Sequence, residues 1–169
     1  PDGRGHMVSV SNISGVTMYE PEELVMTAAA GTSIEYIKKL LEGKNQQLAF
    51  EPPDINRLYG KSMGMGTLGG VLACNLSGPR RIQAGAARDH FLGFEAVSGR
   101  GEIFKSGGRV VKNVTGFDLS KLLAGSFGTL AIMTSISIKV LPKPEKTRSI
   151  LVFGLNVEDA ITVMNTALS

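Results

Sequence analysis

The residues best suited to chemistry lie between positions 67 and 81 of this 169-residue sequence. Gly69 and Gly70 carry no Cβ atom, so a flat or anionic ligand can approach the main chain closely at these positions. Side chains that can add directed hydrogen bonds lie in the same stretch: Thr67, Asn75 and Ser77. A second small-residue stretch, residues 125–129, stands just ahead of an apolar strand pattern. Two such stretches in one small domain favour a cofactor cradle over a set of turns.

Composition argues against several other classes of function. A chain of 17.9 kDa with 43% hydrophobic and 20% charged residues is typical of one soluble globular domain. The net charge of +3 comes from scattered basic residues that do not interleave with aromatic ones, which disfavours nucleic-acid binding. Cys74 is the only cysteine, so the sequence predicts neither an internal disulfide nor a zinc cluster, and no metal site is expected.

The ends of the sequence and its apolar runs bear on location. No secretory leader occurs, and no apolar run reaches the roughly 18 residues of a membrane span, which predicts a cytoplasmic protein without a transmembrane segment. Residues 1–6 are polar and glycine-containing, and His6-Met7 resembles the junction left by an expression vector. We therefore expect residues 1–6 to be an expression scar and Met7 to be the natural start.

Hydrophobic periodicity predicts a chain of mixed helices and strands. Strands are predicted at 16–19, 24–29, 91–97, 102–104, 110–111, 130–141 and 150–153, with residues 48–50 extended. Helices are predicted from a cap at Thr32 or Ser33 to Leu41, at 67–76, at 119–124 after Thr115 or Asp118, and after Asn156. Residues 55–63 show no clear period and are predicted to form a loop.

Residues 64–69 also fit the G-x-G-x-x-G pattern of a nicotinamide-dinucleotide (Rossmann) domain. That pattern needs an apolar strand directly before it, whereas residues 57–62 contain Arg57 and Lys61 and make a poor buried strand. Asp89 follows the glycine pattern at the sequence separation expected of a ribose-binding acid, but it comes after Arg88 instead of ending a strand. A nicotinamide-binding domain is therefore only a third possibility.

Six spaced motifs occur in one order along the chain, and together they resemble the FAD-binding domain of the vanillyl-alcohol oxidase type, also called the PCMH type. The motifs are Pro52-Pro53, Thr67-Leu68-Gly69-Gly70, Asn75-Leu76-Ser77-Gly78-Pro79-Arg80-Arg81, Arg88-Asp89, residues 110–119 and Gly125-Ser126-Phe127-Gly128-Thr129-Leu130. The double-arginine and lysine-asparagine-valine segments point to the branch of the FAD-binding subunits of glycolate oxidase. The match covers residues 16–144.

The resemblance implies an α+β fold with a mainly antiparallel sheet flanked by helices. Residues 7–145 would form the second subdomain of a PCMH-type domain, without the small N-terminal subdomain that carries a further diphosphate loop. Residues 146–169 are expected to begin a cap region that is cut short. One departure from the family pattern is Ala131, which stands where a glycine is usual.

The resemblance also implies which residues contact FAD. The diphosphate and isoalloxazine are expected against residues 67–70, where a helix start would offer exposed N–H groups to the anionic diphosphate. Pro53 would shape the flavin side, and residues 128–132 would face the adenine end. The implied cofactor-binding residues are Pro53, Thr67, Leu68, Gly69, Gly70, Asn75, Ser77, Gly78, Gly128, Thr129 and Ile132. On this interpretation, Gly69→Val abolishes FAD binding and leaves the fold largely intact.

The implied activity is oxidation of a 2-hydroxy acid such as glycolate, with hydride passing from the substrate Cα to flavin N5. No catalytic base is identified in this sequence. The implied partners are a second FAD-binding catalytic subunit and an iron–sulfur subunit that takes the electrons onward, and any membrane association would come through these subunits. The alternative is a non-catalytic assembly module that has kept the fold but has lost FAD binding.

Overall fold

The computed structural model describes residues 8–60, 64, 66–108 and 117–168. In this part of the chain, a five-stranded antiparallel sheet packs against helices, which confirms the predicted α+β class. The strand order of the sheet is β1-β2-β6-β4-β5, and a separate two-stranded sheet pairs β3 with β7. The strands are β1 (Val16–Glu20), β2 (Val25–Ala29), β3 (Gln46–Gln47), β4 (Phe91–Ser98), β5 (Ile103–Gly107), β6 (Ala131–Lys139) and β7 (Leu141–Pro142).

Strand β6 is the centre of the sheet, and its alternating sequence separates two faces. Ile136 pairs with Ala28 of β2 and Phe94 of β4, and all three side chains are buried in the apolar core. The next residue, Ser137, pairs with Thr27, and their hydroxyl oxygens lie 2.9 Å apart on the opposite face. One face of the sheet therefore builds the core, and the other carries small polar side chains.

Side-chain caps bind early N–H groups in four of the five α-helices that the structure describes, and the helix at Arg81–Ala84 begins without one. The helices are α1 (Ile34–Glu42), α2 (Leu68–Ala73), α3 (Arg81–Ala84), α4 (Leu119–Leu123) and α5 (Val157–Leu168). Ser33 Oγ accepts a hydrogen bond from Tyr36 N, and Asp118 Oδ1 accepts one from Lys121 N. Asn156 Oδ1 accepts one from Asp159 N in the same way. These caps confirm the predicted starts of α1, α4 and α5.

The turn that follows β2 joins three distant parts of the chain. The buried Thr32 hydroxyl accepts a hydrogen bond from Gly15 N at 2.9 Å and donates one to Gly15 O at 3.1 Å. Ala30 N donates to Thr134 O of β6 at 2.9 Å. Gly31 lies so close to the backbone of Val10 and Ile13 that a Cβ atom would not fit there. This turn therefore holds the N-terminal segment against the sheet.

Several predicted elements were wrong or displaced. Residues 150–153 form no strand, because no neighbouring strand among the described residues pairs with them. Residues 55–59 form a 3₁₀ helix instead of a loop. The extended segment lies at Gln46–Gln47, where it pairs with β7, and residues 48–50 lead into a turn. The strand predicted at 110–111 lies outside the described residues. No described helix combines the length and apolarity that crossing a bilayer requires.

Shortening one buried side chain on the central strand tests which residues form the core. Ile136→Ala removes a fully buried side chain between β2 and β4, so the free energy of unfolding should fall by about 2–5 kcal/mol. The matched control is Ile150→Ala, because Ile150 is 88% exposed and its loss should change stability by about 0.5 kcal/mol or less. Urea denaturation of both variants measures the difference. Equal effects would contradict the position of the core.

Candidate functional site

The two small-residue stretches meet in one surface cleft of about 360 Å³, which we call the glycine cleft. Its lining residues are Val8, Val10, Thr67, Gly69, Gly70, Ala73, Phe127, Gly128, Ala131, Ile132 and Met133. Five of the predicted FAD-binding residues are among them: Thr67, Gly69, Gly70, Gly128 and Ile132. The fold therefore joins positions that lie about 60 residues apart in sequence.

Helix α2 forms one wall of the glycine cleft and is fastened to the turn after β2. Leu68 N donates a hydrogen bond to Thr32 O at 2.9 Å, and Gly69 N donates one to Ala30 O at 2.7 Å. A Cβ atom at Gly69 would stand 2.9 Å from both the Cβ and the carbonyl oxygen of Ala30. Glycine is therefore required at position 69 for packing within the protein.

The turn at residues 125–128 forms the opposite wall and is held by the C-terminal end of α2. Gly125 N donates a hydrogen bond to Leu72 O at 3.0 Å, and Phe127 N donates one to Ala73 O at 2.8 Å. Carbonyl groups in the last turn of a helix have no partner within the helix. This turn therefore binds Ala73 O, and it adds a second donor to Leu72 O, which also accepts from Asn75 N at 3.0 Å. The two walls of the cleft are thus fixed to each other by main-chain contacts.

Two glycines leave the main chain open toward the cleft. A Cβ atom at Gly128 would meet nothing within 4 Å, and one at Gly70 would meet only Thr67 Oγ1 at 3.2 Å. Gly128 also has a φ of +74°, a conformation that side chains disfavour. Its N–H group donates no hydrogen bond to any residue that the structure describes. A ligand with a flat surface can approach the backbone at both positions, so the residues present fit a flat ring of a dinucleotide.

The start of α2 does not offer the free N–H groups that its sequence predicts. The N–H groups of Leu68 and Gly69 are bonded to the turn after β2, and Gly70 N donates to Thr67 Oγ1 at 3.2 Å. A diphosphate would therefore have to displace contacts that hold the fold. The expectation that Gly69→Val leaves the fold largely intact was wrong. The added side chain would press on the Ala30 backbone and disturb the fold.

Asn75, Ser77 and Gly78 form a separate loop whose polar groups bind other parts of the protein. Asn75 Oδ1 accepts a hydrogen bond from Arg88 N at 3.0 Å, and Ser77 Oγ accepts one from Ala87 N at 2.9 Å. Gly78 N donates to Phe50 O at 2.8 Å, and a Cβ atom at Gly78 would lie 2.7 Å from Glu51 O. Contacts within the protein thus account for these three residues, and their contact with FAD stays a prediction.

The remaining predicted residues lie in three different environments. Leu68 is fully buried in the core. Thr129 is exposed, and its Oγ1 donates a hydrogen bond to Ser126 O at 2.6 Å. Pro53 lines a second cleft of about 460 Å³, on the side of α2 that carries Val71. Pro53 and Ile132, which were predicted to contact different ends of FAD, therefore line two clefts that flank the same short helix.

Asp54 anchors the loop that lines this second cleft. Its carboxylate accepts hydrogen bonds from Gly64 N at 2.8 Å and from Asn56 N at 3.1 Å. The hydrogen bond from Gly64 N, followed by those from Asn56 and by the charge of Lys38, lowers the pKa of Asp54 below its ordinary value of 3.8. The described residues contain no group of three side chains suited to a metal ion.

Sequence patterns alone missed several residues that line the glycine cleft, among them Phe127, Val8 and Val10. Phe127 belongs to one of the six motifs but was not expected to contact a ligand, although an aromatic residue between two glycines was a usable signal. Val8 and Val10 line the cleft because the N-terminal segment crosses the turn after β2, a contact that is not local in sequence and therefore left no pattern to detect.

Residues 2–107 match the sequence model of the family described as FAD binding domain. The glycolate oxidase subunit GlcE of Escherichia coli is 43% identical over 146 residues, which cover 86% of this chain and 40% of that protein. The glycolate oxidase subunit GlcD of Bacillus subtilis is 30% identical over 169 residues, which cover 100% of this chain and 34% of that protein. A D-lactate dehydrogenase of Anaerostipes hadrus is 31% identical over 162 residues, which cover 96% of this chain and 32% of that protein.

Among solved structures, alkyldihydroxyacetonephosphate synthase shares the fold with a TM-score of 0.62 at 24% sequence identity. The alignment covers 80% of this chain and 23% of that chain. The chain thus spans two fifths or less of the length of the curated relatives named above. The similarity in structure supports the fold, and the similarity in sequence supports the family.

Two adjacent glycines should respond differently to the same substitution. Gly69→Ala places a Cβ atom 2.9 Å from the Ala30 backbone, so we expect a loss of about 1–3 kcal/mol in the free energy of unfolding. Gly70→Ala meets only one hydroxyl oxygen and gains helix propensity, so stability should be unchanged or higher by up to about 1 kcal/mol. Thermal and urea unfolding of the pair measure this. A stable Gly69→Ala variant would contradict the close contact with Ala30.

The Asp54 anchor should be sensitive to acid. Because folding lowers the pKa of Asp54, its contribution to stability is present above pH 3.8 and is lost as the pH falls through the lowered value. We expect wild type to be more stable than Asp54→Asn at neutral pH, with the difference shrinking at about pH 3. Urea unfolding at both pH values measures it, with Glu102→Gln as an exposed control of equal charge change. A difference that is independent of pH would refute the anchor.

Proposed function

Because the chain belongs to the FAD-binding domain family, we propose that it holds part of the FAD of a flavin-dependent oxidoreductase that acts on 2-hydroxy acids. The observation that carries the proposal is the glycine cleft. Two glycine-containing segments, one in α2 and one before β6, converge there and leave the backbone open at Gly70 and Gly128. The positive φ of Gly128 is one reason for glycine at that position, and a bound dinucleotide would use the open backbone at both glycines.

Residues of this chain would bind and orient the cofactor and would not carry out the chemistry. Bound FAD supplies the electron-accepting ring for the oxidation of a hydroxyl group. Thr67 and Ala73 fix the two ends of the α2 wall, and Gly128, whose N–H group donates to no described residue, would contact the ligand from the opposite wall. Pro53 and the second cleft would extend the binding surface on the other side of α2. No described residue is proposed as a catalytic base.

The substrate class follows from the relatives. Two of them are named as glycolate oxidase subunits and one as a D-lactate dehydrogenase, and glycolate and lactate are both 2-hydroxy acids. We propose that the complete protein belongs to a complex in which a second FAD-binding subunit carries the reacting site. An iron–sulfur subunit that accepts the electrons, and a cytoplasmic location with membrane contact only through partners, remain part of this proposal.

A second candidate, an assembly module without FAD, is favoured by the apolar surface of the C-terminal segment. Ile150, Leu151 and Phe153 are largely exposed, and α5 exposes further apolar side chains at Val157, Ile161 and Met164. Such a surface is typical of a segment that another part of the protein or a partner covers. We propose that residues 146–169 begin a cap region, a role that is compatible with either candidate function.

Blocking the glycine cleft tests the proposed function. Gly70→Leu places a branched side chain in the open space of the cleft, so we expect FAD affinity to fall at least about tenfold. Leucine is a better helix former than glycine, so we expect no loss of stability. The control is Gly99→Leu, because a Cβ atom at Gly99 meets nothing within 4 Å and Gly99 lies at the exposed β4–β5 turn, away from the cleft. Calorimetric titration with FAD measures both variants.

Three outcomes of that titration have different meanings. Binding by wild type and by Gly99→Leu, with loss in Gly70→Leu, supports the cleft as the FAD site. Equal affinity in all three proteins places FAD elsewhere on the chain. A wild-type protein that is colourless when purified and binds no added FAD favours the assembly module.

A further inference from the structure

We propose that Phe127 stacks on a planar ring of the bound dinucleotide, and that the glycine cleft holds this ring and not the diphosphate. This inference rests on the proposed FAD site and specifies which part of the ligand the cleft takes. It concerns a residue that the sequence motifs contain but to which they assign no contact.

The backbone at Phe127 is held in an unfavourable conformation. Its φ is +56°, in the left-handed region, where bulky residues are rarely found. The hydrogen bond from Phe127 N to Ala73 O at 2.8 Å and the neighbouring turn hold it there. A strained residue that the surrounding structure holds in place is typical of a functional site. Glycine would occupy this position without strain, so the aromatic side chain itself calls for an explanation.

The position of the Phe127 side chain offers that explanation. It lines the glycine cleft and is nevertheless 73% exposed, so it packs little against the protein. An aromatic ring at the rim of a cleft can form one face of a stacking site for a nucleotide base or a flavin. The apolar residues Ala73 and Ile132 line the same cleft, and Gly70 and Gly128 leave room for a flat group.

The lining of the cleft selects the ring over the diphosphate. None of its eleven lining residues carries a charge, and the first N–H groups of α2 are already bonded within the protein. A diphosphate would lose its hydration there and find no cation to compensate. A neutral aromatic ring loses little on entering and gains apolar contact. The anionic part of the dinucleotide therefore lies outside this cleft.

Calorimetric titration with FAD, FMN and ADP tests the inference, because FMN carries only the isoalloxazine half and ADP only the adenine half. Phe127→Ala should weaken FAD binding about tenfold, with the same loss for one of the two halves. Phe127→Trp should retain affinity, since it keeps an aromatic face. Phe127→Gly should bind as weakly as Phe127→Ala while gaining thermal stability, because it removes the ring and relieves the strained φ. Phe117→Ala is the control, since Phe117 is 91% exposed and does not line the cleft.

The outcomes separate this inference from the proposed function. If wild type binds FAD and Phe127→Ala binds it equally well, stacking is refuted and the FAD site stands. If Phe127→Gly keeps wild-type affinity while Phe127→Ala loses it, the backbone shape matters and the ring does not, which also refutes stacking. If wild type binds none of the three ligands, the FAD site falls and stacking falls with it.

Discussion

The contact between Gly69 and Ala30 is the constraint on which the candidate site depends. Gly69 N lies 2.7 Å from Ala30 O, and the missing Cβ allows the start of α2 to lie directly on the turn after β2. That turn also binds β6 through Thr134 and the N-terminal segment through Gly15. The turn after β2 thus holds α2, the central strand β6 and the N-terminal segment against each other. The glycine cleft is the space beside these elements.

Local patterns predicted most of the fold because local forces determine those elements. Ser33, Asp118 and Asn156 cap the helices that follow them, and the alternation of residues 130–141 predicted the central strand, which spans Ala131–Lys139. The FAD-binding family followed from spaced motifs, and the family match confirms it. The strand predicted at residues 150–153 failed because a short apolar run alone cannot supply a neighbouring strand with which to pair.

The candidate site was predicted in its location but not in its contacts. Thr67, Gly70 and Gly128 do meet in one cleft, as the motifs implied. The sequence could not reveal that Ala30 and Thr32 already accept the hydrogen bonds of the α2 start, since those partners lie more than thirty residues away. Glycine at position 69 is required by the close contact with Ala30, whereas the space beside Gly128 is open, and only the three-dimensional contacts separate these two environments of one residue type.

The strand order has a consequence for how this chain can fold as it is synthesised. Strands β1 and β2 form one hairpin and β4 and β5 another, so each pair can form early from neighbouring residues. The strand that joins the two hairpins, β6, is made last of the five. Until it has left the ribosome, the inner edges of β2 and β4 stay unpaired. A nascent chain of this protein therefore passes through a stage in which the two hairpins are not yet joined and their unpaired edges can pair with other chains. Protection by chaperones matters most at this stage.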